Sequence, residues 1–82
     1  MHYDHRIMGR VIREIRKKKQ KSQEVISGFA DIDRTHLTKI ETGQHSANVE
    51  TIWRIAEALD MRPSELFRLV EDEINKDEAA GK

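Results

Sequence analysis

The chain has 82 residues, 37% of them charged, with 15 basic and 15 acidic side chains and no cysteine. That length predicts one domain with a modest core, because a chain this short buries only about 60–65% of its unfolded surface. The absence of cysteine excludes disulfides and thiolate metal sites, and no apolar run approaches the roughly 18 residues of a membrane span. The opening stretch MHYDHRIMGR lacks the apolar core of a signal peptide, so a soluble, cytoplasmic protein is expected.

The zero net charge hides an asymmetry. Residues 1–44 hold ten Lys or Arg and six Asp or Glu, a net of +4; residues 45–82 hold five and nine, a net of −4. Such a dipole lets one end approach a polyanion while the other faces away. The alternative reading is a solvated helix face followed by an acidic tail.

Helical spacing dominates throughout. Ile7, Met8, Val11, Ile12 and Ile15 form a stripe that predicts a first helix over about 5–19. Arg10, Arg13, Arg16 and Lys17 lie on its other face, and Lys17-Lys18-Lys19 suits a helix C-terminus. Ser22 is a good N-cap for a short second helix over about 23–30, with Val25, Ile26 and Phe29 expected to face inward. Gly28 within it costs roughly 1 kcal/mol relative to Ala, so packing must hold this helix. Asp31-Ile32-Asp33 reads as a tight turn, with Asp33 capping a third helix that opens at Arg34 and ends at Gly43. That helix has only Leu37 and Ile40 as an apolar stripe, which leaves a face rich in hydrogen-bond donors.

After a polar loop over 44–48, Asn48 caps a fourth helix carrying Ile52, Ile55, Ala56 and Leu59. Pro63 suits the first turn of a fifth, whose stripe is Leu66, Phe67, Val70 and Ile74. From about Asn75 the chain reads as frayed, giving a domain over 1–75 and a tail over 76–82. The expectation is therefore all-α: a compact bundle of five short helices, with helices 2 and 3 crossing steeply as a helix-turn-helix unit.

At this point the residues resemble a known family. IMGRVIREIRKKKQKSQEVI, DRTHLTKIETG and NVETIWRIAEALDMRPSELF, within residues 7–67, follow in phase the pattern of Cro/C1-type (XRE-like) helix-turn-helix regulators, which have a lambda-repressor-like fold. Among these the chain is similar to the short, stand-alone controllers of restriction-modification operons. Three positions depart from the pattern: Ser27 where Ala is common, Asp31 where Gly is common, and Ala47 where Pro is common. Ser27 needs a partner for its hydroxyl, and Asp31 tolerates positive φ better than most residues.

The resemblance implies that helix 3 enters the major groove of double-stranded DNA. It places Arg34, Thr35 and Thr38 on base edges, with His36 reading a base, sitting beside a phosphate or solvated. Arg can bridge guanine O6 and N7, and Thr can donate, accept or touch a thymine methyl. Ser22, Gln23, Lys39, Gln44 and Ser46 are expected to hold the phosphate backbone, and Lys19 and Lys21 either to reach a flanking strand or to be solvated surface. Arg16 is as well placed to pair with Glu41 inside the fold as to meet DNA. A homodimer on an inverted-repeat operator is implied, with Trp53, Leu66, Phe67, Leu69 and Val70 as candidate interface residues.

The expected activity is sequence-specific transcriptional regulation without a small-molecule ligand, cofactor or membrane. His2 and His5 have a spacing that can bind metal, but with only Asp4 nearby no metal site is expected. No Gly-rich phosphate loop or catalytic constellation is visible, and no enzyme is expected. The competing readings are an antitoxin-type autorepressor that also binds a partner protein, and a protein-interaction module without DNA binding.

Overall fold

The computed structural model describes residues 1–80 and contains five helices: α1 (His5–Lys18), α2 (Gln23–Ala30), α3 (Arg34–Glu41), α4 (Val49–Ala58) and α5 (Pro63–Ala80). Among the described residues no helix is long and apolar enough to cross a membrane.

Short polar side chains start most of these helices. Asp4 accepts from the Arg6 amide at 2.9 Å, Ser22 from the Val25 amide at 3.1 Å and Asn48 from the Thr51 amide at 2.8 Å. Each satisfies one of the amides that a helix start leaves without a partner. Asp33 differs from expectation: it occupies the N-cap position of α3 with extended backbone but makes no side-chain cap hydrogen bond. The turn between α2 and α3 depends on Asp31, which sits in the left-handed region at φ 57° and ψ 47°. There its own amide and that of Ile32 close the end of α2 on the Gly28 and Ser27 carbonyls. The Ser27 hydroxyl, buried where Ala is common, donates to the Glu24 carbonyl at 3.3 Å.

The helices close on one core, in which Met8, Ile12, Ile26, Leu37, Ile40, Ile55, Leu59, Leu66 and Val70 are fully buried. Two expectations change here. Of the three apolar residues of α2 expected to face inward, only Ile26 does. Val25 is 44% and Phe29 75% exposed. The buried stripe of α2 runs through Ile26, Ser27 and Ala30, and the helical period turns positions 25 and 29 away from it. Leu66 and Val70 are likewise core residues, 0% and 1% exposed, and so are removed from the candidate dimer surface.

Helix α5 also continues past the expected fraying point, through Ala80. A long-range contact accompanies its last turns: the Arg10 guanidinium of α1 lies 3.7 Å from both Glu73 and Asp77. The last two residues of the expected tail, Gly81 and Lys82, lie outside the described residues.

Two features set the approach of α1 to α3. The first is Gly9, where an added Cβ would lie 1.9 Å from the Ile40 carbonyl oxygen. The second is an ion pair within the fold. Arg16 Nε donates to Glu41 Oε2 at 2.7 Å and Nη2 to Oε1 at 3.0 Å, a two-pronged pair, while Nη1 donates to the Lys21 carbonyl at 3.0 Å. The side chains are only 11% and 1% exposed. Of the two roles open to Arg16, the structure selects the internal one.

These features predict two stability outcomes, both readable by urea denaturation. Gly9→Ala forces α1 off α3 and destabilises by more than ~3 kcal/mol. Gly28→Ala adds a methyl into open space and stabilises by about 0.5–1 kcal/mol. Separately, Glu41→Ala strands the Arg16 charge and costs about 3–5 kcal/mol, whereas replacing both partners with Met costs far less. Equal losses in the single and double variants would contradict the ion-pair account.

Candidate nucleic-acid interface

The buried ion pair extends outward to the surface. Gln23, first residue of α2, donates from Nε2 to Glu41 Oε1 at 3.0 Å. Its Oε1 lies 3.3 Å from the Thr38 hydroxyl, which donates to it or to the Arg34 carbonyl at 3.0 Å. Arg16, Glu41, Gln23 and Thr38 thus form one hydrogen-bonded chain from the interior of α1 to the outer face of α3. The role of Glu41 in fixing Gln23 is not visible in a linear reading, because the two residues are 18 positions apart. The only local signal is an acid directly after the core residue Ile40.

Leu37 and Ile40 bury one side of α3 and leave the opposite side open, as their spacing predicts. Arg34 and Thr35 are exposed; His36, Thr38 and Lys39 are partly so. The Arg34 guanidinium rests on Glu24 of α2 at 3.2 Å, with both side chains more than half exposed. An exposed pair of this kind contributes ~0–1 kcal/mol, so it releases readily to a better partner. His36 meets His45 of the following loop edge-on, with ring centroids 6.2 Å apart. In the same loop Gln44 donates to the Thr42 hydroxyl at 3.0 Å and Ser46 is exposed. Ser22 spends a lone pair on its cap, yet its residue remains exposed beside Gln23.

Two of the candidate backbone lysines are engaged within the fold. Lys19 donates to the Leu59 carbonyl, and Lys21 to the Ala58 carbonyl at 3.2 Å and the Asp60 carboxylate at 2.7 Å. Both ammonium groups therefore close the C-terminal end of α4, where carbonyls lack helical partners and the dipole favours cations. Lys21 holds the Asp60 carboxyl below the usual carboxylate range by that hydrogen bond and its charge. Likewise the Arg6 side chain and amide hold the Asp4 carboxyl down. At the N-terminal end His5 Nε2 lies 3.1 Å from the Gly43 carbonyl, so this imidazole serves the α3–α4 loop.

The face that remains collects the N-terminus of α2, the outer side of α3 and the loop after it. It combines a guanidinium, an ammonium, hydroxyls and amides without an apolar cover. Such groups are chemically suited to bidentate and single hydrogen bonds with base edges and phosphates.

Residues 12–66 match the family model described as Helix-turn-helix. Control protein C.BamHI of Bacillus amyloliquefaciens is 33% identical over 62 residues, covering 74% of this chain and 76% of its own. The restriction-modification controller protein C.AhdI of Aeromonas hydrophila superposes with a TM-score of 0.73 at 34% identity, over 79% of this chain and 98% of that one. The controller C.Esp1396I, solved as a tetramer in complex with its natural 35-base-pair operator, has the same fold, with a TM-score of 0.81 at 23% identity over 90% and 97% of the two chains. With the α2–turn–α3 unit in place and both the family model and the relatives matched across most of its length, the chain belongs to the Cro/C1-type helix-turn-helix family of DNA-binding transcriptional regulators that includes the restriction-modification controller proteins.

Proposed function

We propose that this protein is a controller-type transcriptional regulator that binds an inverted-repeat operator as a homodimer, with α3 of each copy in the major groove. The observation that carries the reading is the open face of α3, where Arg34 and Thr35 stand exposed and Thr38 is partly exposed above a stripe of only Leu37 and Ile40. A helix that buries so little and ends in a rigid ion-paired anchor is suited to present side chains to a groove. Arg34, Thr35 and Thr38 take the base edges, with His36 at the margin. Gln23, Ser22, Lys39, Gln44 and Ser46 take the backbone. Lys19 and Lys21 support the helix ends and add charge from behind.

The dimer is proposed to use what remains apolar and open on α4 and α5. Trp53 is 52% and Leu69 41% exposed, and Phe67 is half-buried. Val49, one turn before Trp53, is exposed as well. Homodimerisation and operator binding are also in keeping with C.Esp1396I, which occupies its operator as a tetramer.

The competing reading, a module that binds protein and not DNA, is favoured by one observation. Val25 and Phe29 form an exposed apolar pair on the outer side of α2. An antitoxin-type regulator would combine both surfaces.

Fluorescence anisotropy with a selected operator duplex separates these readings. The wild-type chain is expected to bind as two copies per duplex, and affinity to fall steeply with salt. Arg34→Ala should lose about 1–3 kcal/mol of binding and relax the preference at one base pair in each half-site. Binding that ignores Arg34→Ala, or no binding to any duplex, contradicts the proposal.

A further inference from the structure

The proton arrangement along the Arg16–Glu41–Gln23–Thr38 chain determines what one of the reading positions can recognise. A carboxylate has only acceptors, so Glu41 compels Gln23 to turn its amide nitrogen inward, at 3.0 Å. The carbonyl oxygen of that amide then faces Thr38, 3.3 Å from its hydroxyl. The other neighbour of this hydroxyl is the Arg34 backbone carbonyl at 3.0 Å. Both neighbours accept and neither donates. A threonine hydroxyl has a single proton, and whichever neighbour takes it, only lone pairs remain for a third partner. Thr35 is different: its hydroxyl makes no hydrogen bond among the described residues, so it is free to donate or accept.

We infer that Thr38 meets the operator solely as a hydrogen-bond acceptor and so selects a base with an exocyclic amino group, adenine or cytosine, on the strand it faces. The inference rests on the proposed placement of α3 in the major groove. In that groove adenine N6 and cytosine N4 are donors, whereas guanine O6 and N7 and thymine O4 are acceptors. An acceptor-only hydroxyl bonds the first pair and sets lone pair against lone pair with the second. Guanine or thymine would be read only after the hydroxyl proton left a carbonyl that already holds it. The polarity originates at Glu41, in the interior, and Gln23 carries it to the surface. Thr35, with no fixed proton, tolerates either class of base.

The test is a set of parallel selections from random duplexes at roughly physiological salt, using wild type, Thr38→Val and Thr38→Ser. Valine keeps the shape and removes the oxygen; serine keeps the hydroxyl. The position in each half-site whose preference differs between wild type and Thr38→Val is the one that Thr38 reads. Because every base pair carries one amino-bearing base, the selected duplex is then made with that amino group deleted at this position, purine for adenine or 2-pyrimidinone for cytosine. The deletion should weaken wild type and Thr38→Ser roughly 2- to 12-fold, as one neutral hydrogen bond allows, and leave Thr38→Val unaffected. Wild-type binding that ignores the deletion overturns the inference, and so does a profile that Thr38→Val leaves unchanged. In both cases an inverted repeat can still emerge, and the proposed function then stands alone. If no sequence is enriched by the wild-type chain, the inference and the proposed function fail together.

Discussion

The Arg16–Glu41 pair holds three separate pieces of chain at one point: the last turn of α1, the end of α3 and, through the Lys21 carbonyl and the Gln23 amide, the entry to α2. A buried ion pair seldom adds much net stability, because desolvation offsets the Coulomb attraction. Its consequence here is geometric. Both oxygens of Glu41 and all three nitrogens of Arg16 are used, so each helix has a fixed rotation as well as a fixed position. Hydrophobic packing by Leu37 and Ile40 alone would allow α3 to roll, and a rolled reading helix would present different side chains to a groove. Gly9 reinforces the constraint by letting α1 come against the backbone of Ile40.

Several charges away from the α3 face are paired within the fold. On the far side Arg10 is balanced by Glu14, Glu73 and Asp77. Lys19 and Lys21 are engaged with the end of α4. What faces outward on α3 is therefore one weakly held guanidinium at Arg34 and the ammonium of Lys39. Such a surface depends on placed hydrogen bonds more than on bulk charge, in keeping with a chain whose net charge is zero.

Much of the fold is legible in the sequence because the relevant signals are local. Ser22 and Asn48 announce helix starts by their own chemistry, Gly43 with φ 81° ends the stretch that α3 opens, and the 3–4 spacing of α1 and α4 gives the buried faces. The departures share one cause, which is that local apolarity does not specify direction. Helix α2 has only eight residues, too few for periodicity to decide which of Val25, Ile26 and Phe29 turn inward; contact with α4 decides it. Leu66 and Val70 lie on the stripe that covers the core, while Leu69 falls beside Val11 and Ile15 at the groove between α1 and α5. The persistence of α5 to Ala80 and the engagement of Lys19 and Lys21 both involve partners about 40 or more residues away, which no pattern along the chain displays. The proposed reading role of Arg34, Thr35 and Thr38 follows from the family resemblance, and the structure adds the hydrogen-bond arrangement behind Thr38.

If the α3 face, oriented from within by Glu41, is the surface that meets DNA, it should report binding directly. Titrating isotope-labelled protein with duplex DNA, followed by amide chemical shifts, tests this whatever the operator sequence. The account predicts that the changes concentrate at Ser22–Gln23, Arg34–Lys39 and Gln44–Ser46, with the acidic turns of α5 unmoved. Changes centred on Val25 and Phe29, or on α5, with α3 silent, would contradict it.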